Sequence, residues 1–324
     1  MNVLVTGGAG YIGSFMVKRL LQDGIDVVVI DNLSRGHKEA VDQRATLLIG
    51  DISDGGFVDK MFNTHQIEAV IHFAAYISMG ESMERPNMYF TNNTFGSLAF
   101  LEKMRENQIK KIIFSSTAGV YGSPEVSPIP EDHLKAPTNP YGESKRMVER
   151  ILRWYQVIHG ITFVSLRYFN ASGAALDGSL GEQHDPETHL IPNAIKAALE
   201  NRDFTLFGND YQTEDGTCVR DYIHVLDLVE AHMLALKKLE SETGAFSYNV
   251  GAGKGYSNKQ VLDEIKKITG RDVRVKIASR RPGDVETLVA DTKRIQDQLH
   301  FQPKYSDLET IVRSAWEYHK RNVK

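Results

Sequence analysis

Short runs of β-branched and other apolar residues alternate, through the first half of the chain, with longer segments whose apolar positions recur every three or four residues. Residues 2–6, 26–30, 46–49, 69–72, 111–115 and 161–166 read as strands, and they are nearly continuously apolar, as parallel strands covered on both faces must be. Residues 11–23, 54–65, 86–107 and 140–159 read as helices, with Gly24 and Gly160 placed to end two of them. Alternating β and α units of this length predict an α/β fold, a doubly wound parallel sheet joined by right-handed crossovers. After about residue 168 the rhythm gives way to longer loops with short strands and helices. Two domains are therefore expected, 1–168 and 169–324, with segments from about 215–250 returning to the first sheet.

Composition narrows the class. In 324 residues, 41 % are hydrophobic and 25 % charged, enough to fill a sizeable core. Lys and Arg number 38 against 42 Asp and Glu, and this balance suggests neither a nucleic-acid surface nor a basic membrane-hugging face. The single cysteine, Cys218, excludes an intrachain disulfide and a zinc ribbon and fits a reducing compartment; it lacks a nearby base and reads as packing. Apolar runs break after a handful of residues, and the N-terminus runs straight into a glycine turn, so a soluble cytoplasmic protein with no membrane span is expected.

That turn, Gly7-Gly8-Ala9-Gly10-Tyr11-Ile12-Gly13, follows the first strand and opens the first helix. Glycines at 7, 10 and 13 permit a tight turn, close helix–strand packing and approach of a pyrophosphate to the helix N-terminus, whose N–H groups and dipole favour its charge. Asp31 ends the second strand eighteen residues after Gly13, where a carboxylate accepts both ribose hydroxyls of adenosine and repels a 2′-phosphate. NAD is therefore the expected cofactor in a Rossmann-type domain. Arg35 would favour NADP instead, but reads as a solvated loop residue. Asp51 either reaches the adenine edge or caps the following helix.

Tyr141 and Lys145 stand at i and i+4, sharing one face of the 140–159 helix. A phenol titrates near ~10, so a base at neutral pH needs about 4 kcal/mol of help. An ammonium about 5 Å away at an effective dielectric of about 20 supplies roughly 3 kcal/mol. The positive ring of oxidised NAD could supply the remainder. Thr117, at the C-terminal end of the fifth strand beside Ser115, either orients a proton transfer to Tyr141 or merely caps a turn. Together Thr117, Tyr141 and Lys145 predict oxidation of a carbinol.

With these residues the chain resembles the extended short-chain dehydrogenase/reductase superfamily and, within it, the UDP-glucose (UDP-galactose) 4-epimerases. The matching stretches run from Val5 to Asp227, and the segments Arg220-Asp221-Tyr222-Ile223-His224-Val225 and Arg280-Arg281-Pro282-Gly283-Asp284 are far more selective than the glycine turn. The resemblance implies a tightly held NAD, a UDP-hexose bridging the two domains, and a smaller C-terminal α/β region that binds the substrate. Tyr141 would take the C4 proton as hydride leaves, and the 4-keto sugar would turn and take the hydride back. Gly7, Gly10, Tyr11, Ile12, Gly13, Asp31, Asn32, Leu33, Ser34, Asp51, Ile52, Phe73, Ala74, Ala75, Asn92, Ser115, Tyr141, Lys145 and Phe169 would contact NAD. Thr117, Tyr141, Asn170, His189, Leu190, Phe207, Arg220, Arg281 and Asp284 would hold the UDP-sugar. Guanidinium groups suit pyrophosphate oxygens, an aromatic face suits uracil, and a carboxylate suits ribose hydroxyls. Read without the resemblance, the same arginines and Phe207 are surface pairs and core packing.

Several positions depart from the family's common forms. Thr117 replaces serine and keeps the hydroxyl; Phe15 replaces a frequent histidine and should alter only packing; Ile77 replaces a lysine and loses its contact. Leu288, where the family gates the sugar's C2 side, is intermediate in size, which leaves UDP-N-acetylhexosamines open as substrates. Ala118-Gly119 lack the acid or base that sister dehydratases and decarboxylases need. His184 and His189, five apart, match no common zinc spacing and read as solvated loop residues, so no metal site is expected. The 86–107 and 140–159 helices carry apolar faces for a homodimer seam, although core packing gives the same periodicity. An NAD-sensing regulator without catalysis is a different reading, disfavoured because both Tyr141 and Lys145 are retained.

Overall fold

The computed structural model describes residues 1–281 and 283–322. The six expected strands form as β1 (Asn2–Thr6), β2 (Asp26–Asp31), β3 (Thr46–Ile49), β4 (Ala69–His72), β5 (Lys111–Thr117) and β6 (Thr162–Tyr168). A seventh, Ala245–Val250, completes the sheet at the β6 edge, and from there the order runs β6, β5, β4, β1, β2, β3. β1 pairs parallel with both β2 and β4, β2 with β3, and β4 with β5. The chain thus winds outward in one direction from β1 and resumes on its other side at β4. That reversal opens a crevice beyond the C-terminal ends of β1 and β4, where doubly wound folds bind ligands.

Strand side chains alternate between faces. Leu4, Val28, Ile30, Val70, Ile112 and Phe114 pack on one side with helix residues Val58, Phe62, Phe100, Met104, Val148 and Leu152. Val3, Val5, Val29 and Ile71, of the opposite parity, are fully buried as well, which is why the strands lack polar alternation. The Pro140–His159 helix has the expected bounds: Pro140 opens it, the Asn139 side chain accepts from Gly142 N, and Gly160 ends it at a φ of 69°. The 86–107 segment is not one regular helix. Pro86–Tyr89 and Ser97–Glu106 flank a π-helical stretch, Phe90–Gly96, held by side-chain bonds that a periodicity cannot register.

The chain divides into two compact units. The first comprises 1–122, 134–167 and 231–248, and the second 123–133, 168–230 and 249–322 of the described residues. In the second, Val219–His224 is the hub of a small mixed sheet: Gly255–Ser257 pairs antiparallel with it, and Thr287–Leu288 and Asn170–Ser172 pair parallel. Its core gathers Ile191, Ile195, Ile265, Ile311, Val312 and Trp316 from three helices around Phe204, Leu206 and Tyr222. Among the described residues no helix is long and apolar enough to cross a membrane.

Candidate active site

At the end of β1 the backbone reverses through Gly7, at a φ of 73°, and Gly7 N donates to Ile30 O at 2.8 Å. A Cβ on Gly7 would lie 2.6 Å from Ala74 N, and one on Gly13 2.2 Å from Gly7 O, so packing forbids side chains at both positions. Gly10 differs: a Cβ there would meet nothing nearer than Gly7 O at 3.4 Å. Its glycine keeps clear the N-terminus of the Tyr11–Gln22 helix, which has no side-chain cap and no acidic residue in its first turn. Tyr11 and Ile12 are half-buried in that turn, and Phe15 meets the Tyr11 ring edge-on with centroids 5.7 Å apart. Backbone N–H groups and the dipole there fit a pyrophosphate.

Asp31 is nearly buried at the end of β2. Its two oxygens accept from Ala9 N at 3.0 Å and Leu33 N at 2.8 Å. Burial pushes its pKa up against those two bonds, and each oxygen retains a lone pair for a hydroxyl. Leu33 holds a left-handed φ of 56°, and Asn32 donates to Asp51 at 3.0 Å while accepting from Ser34 N at 3.0 Å. Asp51 does not cap the next helix; Asp54 does, accepting from Phe57 N at 3.1 Å. Asp51 instead takes the Ser53 N–H at 2.8 Å and hydroxyl at 2.6 Å; burial raises its pKa, but these bonds and Asn32 outweigh it. Ile52 is buried in the core. Arg35 is not a simply solvated side chain, because it donates to Glu81 at 2.8 Å and lies over Tyr76. Across the switch point Phe73 N donates to Thr6 O at 2.9 Å, with Ala74 and Ala75 half-buried beside it. Asn92 lies in the π-helical stretch and donates to Asn93 at 2.9 Å. Ile77 is exposed.

The chemistry-bearing side chains meet at the C-terminal end of β5. Lys145, 2 % exposed, donates to Ser115 O at 2.8 Å and stands 5.0 Å above the Phe114 ring. Thr117 makes the contacts of both readings: Oγ1 accepts from Gly119 N at 3.0 Å, capping a short 3-10 turn, and its hydroxyl also bonds the Tyr141 phenol. Gly142 lets this helix start press against that turn, since a Cβ would sit 2.5 Å from Gly119 O. The expected lowering of the phenol is corrected by the structure. Burial pushes Tyr141 up to about 12, with only the Thr117 bond opposing it, and pushes Lys145 down to about 7. Both groups are desolvated and Lys145 is committed to a carbonyl, so desolvation outweighs mutual attraction in the protein alone.

Residues that the sequence reading overlooked hold this set in place. Arg167 makes a two-pronged pair with Glu149, at 2.9 and 2.8 Å, and donates to the Tyr121 hydroxyl at 2.9 Å. Ser116 also donates to Glu149, at 2.6 Å, tying β5 to the helix that carries Tyr141 and Lys145. Glu149 follows Lys145 by four residues on the same face, which was the available signal. Asn93 exchanges bonds with the Tyr76 backbone at 2.8 and 2.9 Å and donates to Ser144 at 3.1 Å. A buried chain Thr6–His72–Ser97 completes the support at 2.7 and 2.9 Å, and burial first, then Lys145, pushes His72 down to about 3.

In the second unit Arg220 and Asp284 come together, at 3.7 Å, and Arg220 also donates to Val219 O at 3.0 Å. Leu288 lies opposite Arg220 in register. The Arg281 guanidinium covers one face of Phe207 at 3.9 Å, a cation–π contact, while Arg280 lies over Tyr211 and bonds Asp210. Pro282 lies outside the described residues. Asn170 pairs with Tyr222, Phe169 N donates to Val250 O, and Leu190 is the first residue of the Leu190–Glu200 helix. Asp221, quoted within the selective segment but given no role there, accepts from the backbone N–H groups of Ala252, Gly253 and Ala290 at 2.7, 2.9 and 3.1 Å, which fixes the strand end bearing Arg220. The expectation of solvated histidines fails for His184, which is largely buried, and holds in part for His189, which stays 39 % exposed; both face Glu182 and Glu187, and His189 bonds Glu182. His189, expected to touch substrate, has its Nδ1 committed to that cluster.

Comparison with known proteins follows the same lines. The model of the "NAD dependent epimerase/dehydratase family" matches residues 3–251. The UDP-glucose 4-epimerase of Lacticaseibacillus casei is 47 % identical over 323 residues, covering 99 % of this chain and 98 % of that protein. The crystal structure of UDP-glucose 4-epimerase from Brucella ovis in complex with NAD is 46 % identical, with a TM-score of 0.94 over 97 % of each chain. That of UDP-glucose 4-epimerase from Bifidobacterium longum in complex with NAD+ and UDP is 36 % identical, with a TM-score of 0.96 over 99 % of each chain. With sequence and fold in agreement along nearly its whole length, the chain belongs to the NAD dependent epimerase/dehydratase family.

Proposed function

We propose that this protein interconverts UDP-glucose and UDP-galactose by reversible epimerisation at C4, with NAD held by the first unit and the nucleotide by the second. The observation that carries the reading is the Thr117–Tyr141 hydrogen bond, with Lys145 buried behind it on Ser115 O. NAD supplies there a hydride acceptor that returns what it takes and a positive ring that lowers the phenol when a base is needed. Tyr141 removes the C4 hydroxyl proton, Thr117 orients that transfer, and Lys145 stabilises the phenolate that results. The 4-keto sugar then turns and is reduced on its other face, and Tyr141 returns the proton. Ala118-Gly119 offer no side-chain acid or base, which favours epimerisation over elimination.

The Gly7–Gly13 turn and Asp31 support the choice of NAD, and the paired Arg220 and Asp284, with Arg281 on Phe207, support a nucleoside diphosphate. We also assign this protein to the cytoplasm, on its one buried thiol, and to a homodimer. Phe95 and Trp154, 62 % and 63 % exposed, with Val157 and Ile158, give the first unit an apolar helical surface for a second copy.

Purified protein incubated separately with UDP-galactose and UDP-N-acetylgalactosamine is expected to convert the first; turnover of the acetylated sugar alone would overturn the substrate assignment. Tyr141→Phe is expected to lose at least about a thousandfold in kcat while retaining cofactor, the scale of a general base acting in the transition state. Full activity in that variant would remove Tyr141 from its role.

A further inference from the structure

We propose that Glu182, His184, Glu187 and His189 form a four-ligand site for a structural zinc ion. The four lie on one loop as a repeated Glu-Xaa-His, and one ligand atom from each comes within 4.8 Å of all the others. His184 Nδ1 is 3.2 Å from Glu182 Oε1 and 3.6 Å from Glu187 Oε1, and His189 Nδ1 is 3.9 Å from Glu187 Oε1. Zinc binds imidazole nitrogen and carboxylate oxygen at about 2.0–2.2 Å, so the edges of a tetrahedron around it measure roughly 3.3–3.6 Å. Three of the four histidine–glutamate spacings are therefore already near that value, and the fourth, the direct His189–Glu182 hydrogen bond, must open to admit the ion.

Charge and burial argue the same way. The Glu182 and Glu187 side chains are 4 % and 6 % exposed, and a doubly charged cation between two neutral imidazoles would neutralise both carboxylates. Glu187 Oε1 already accepts the N–H groups of Thr188 and His189, at 2.9 and 3.1 Å, which orients the carboxylate beforehand and leaves its other oxygen to the ion. Its other oxygen is buried without a hydrogen-bond partner, with the Lys196 ammonium at 3.6 Å. All four coordination positions are filled by the chain, so the ion is structural rather than catalytic. It would anchor the loop directly before Leu190, where the Leu190–Glu200 helix begins without a side-chain cap. The inference stands apart from the epimerase reading and fails separately from it.

The test is zinc content of the full-length protein after dialysis against metal-free buffer, followed by Co2+ replacement and visible spectroscopy. One zinc per chain is expected, with the intense bands of four-coordinate Co2+ after exchange. The double substitution His184→Ala, His189→Ala is expected to abolish both signals, and Glu187→Gln to weaken zinc binding at least about tenfold while circular dichroism reports an intact fold. Protein that retains no zinc and gives no such bands, or bands that survive in Glu187→Gln and in the double variant alike, would overturn the site.

Discussion

Lys145 and Tyr141 illustrate how burial sets proton affinity at single residues. An isolated ammonium near a phenol lowers its pKa, but here both sit out of water, and burial drives the phenol to about 12 and the ammonium to about 7. The consequence is a destabilising lysine. Its unfolded-state value lies near ~10.4, so between about pH 7 and that value the unfolded chain binds more protons than the native one. Stability then rises with pH, by about 1.4 kcal/mol per pH unit from this group alone. Replacing it by Lys145→Met removes that dependence. The variant's stability advantage over the parent should therefore be largest at and below about pH 7 and shrink by about that slope towards about pH 9. Paired urea titrations across that range check it; an advantage independent of pH would mean that Lys145 titrates near its ordinary value. Such a cost is what the role proposed for Lys145 entails, function held at the expense of stability.

At the scale of elements, the Pro140–His159 helix was readable in full, because Pro140, Gly160 and the apolar spacing are local signals. The π-helical stretch Phe90–Gly96 was not, because it is held by Asn93 reaching Tyr76 and Ser144, partners 17 and 51 residues away. Glu149 was half readable: its i+4 spacing from Lys145 places it on the same helical face, but its partner Arg167 lies in an apolar strand and reads as an anomaly. Because Arg167 is buried and Glu149 nearly so, removing the Glu149 charge strands the guanidinium. Glu149→Gln is expected to lower stability by about 3–5 kcal/mol, and a urea midpoint unchanged at constant slope would show that the pair contributes little. Arg167 and Ser116 both bond Glu149, so kcat should also fall as β5 and the helix lose register.

For the molecule as a whole, the order of the strands follows from chain winding, yet the composition of each unit does not. Residues 123–133 join the second unit, an excursion that no linker or change in composition announces, while 231–248, inside the 215–250 stretch expected to return, join the first. The proposed homodimer is tested at this scale too. Trp154 and Ile158 lie one helical turn apart on a face that the first unit leaves exposed. Charge placed there with Trp154→Glu and Ile158→Lys should convert a dimer to monomers in light scattering while leaving the fold intact, as circular dichroism would report. A parent protein that is already monomeric at micromolar concentration would refute the seam.

The sequence by itself determined the α/β winding, the glycine cradle, Asp31, and the sharing of one helical face by Tyr141 and Lys145, because turn geometry, side-chain period and helical spacing are set within a few neighbouring residues. Tertiary structure alone decided the proton affinities at the β5 edge, the Arg167–Glu149 brace, the three backbone bonds to Asp221 and the gathering of two histidines with two glutamates. Each of those depends on how much water is excluded and on which distant groups are brought within a few ångströms, and neither quantity is written in local order along a chain.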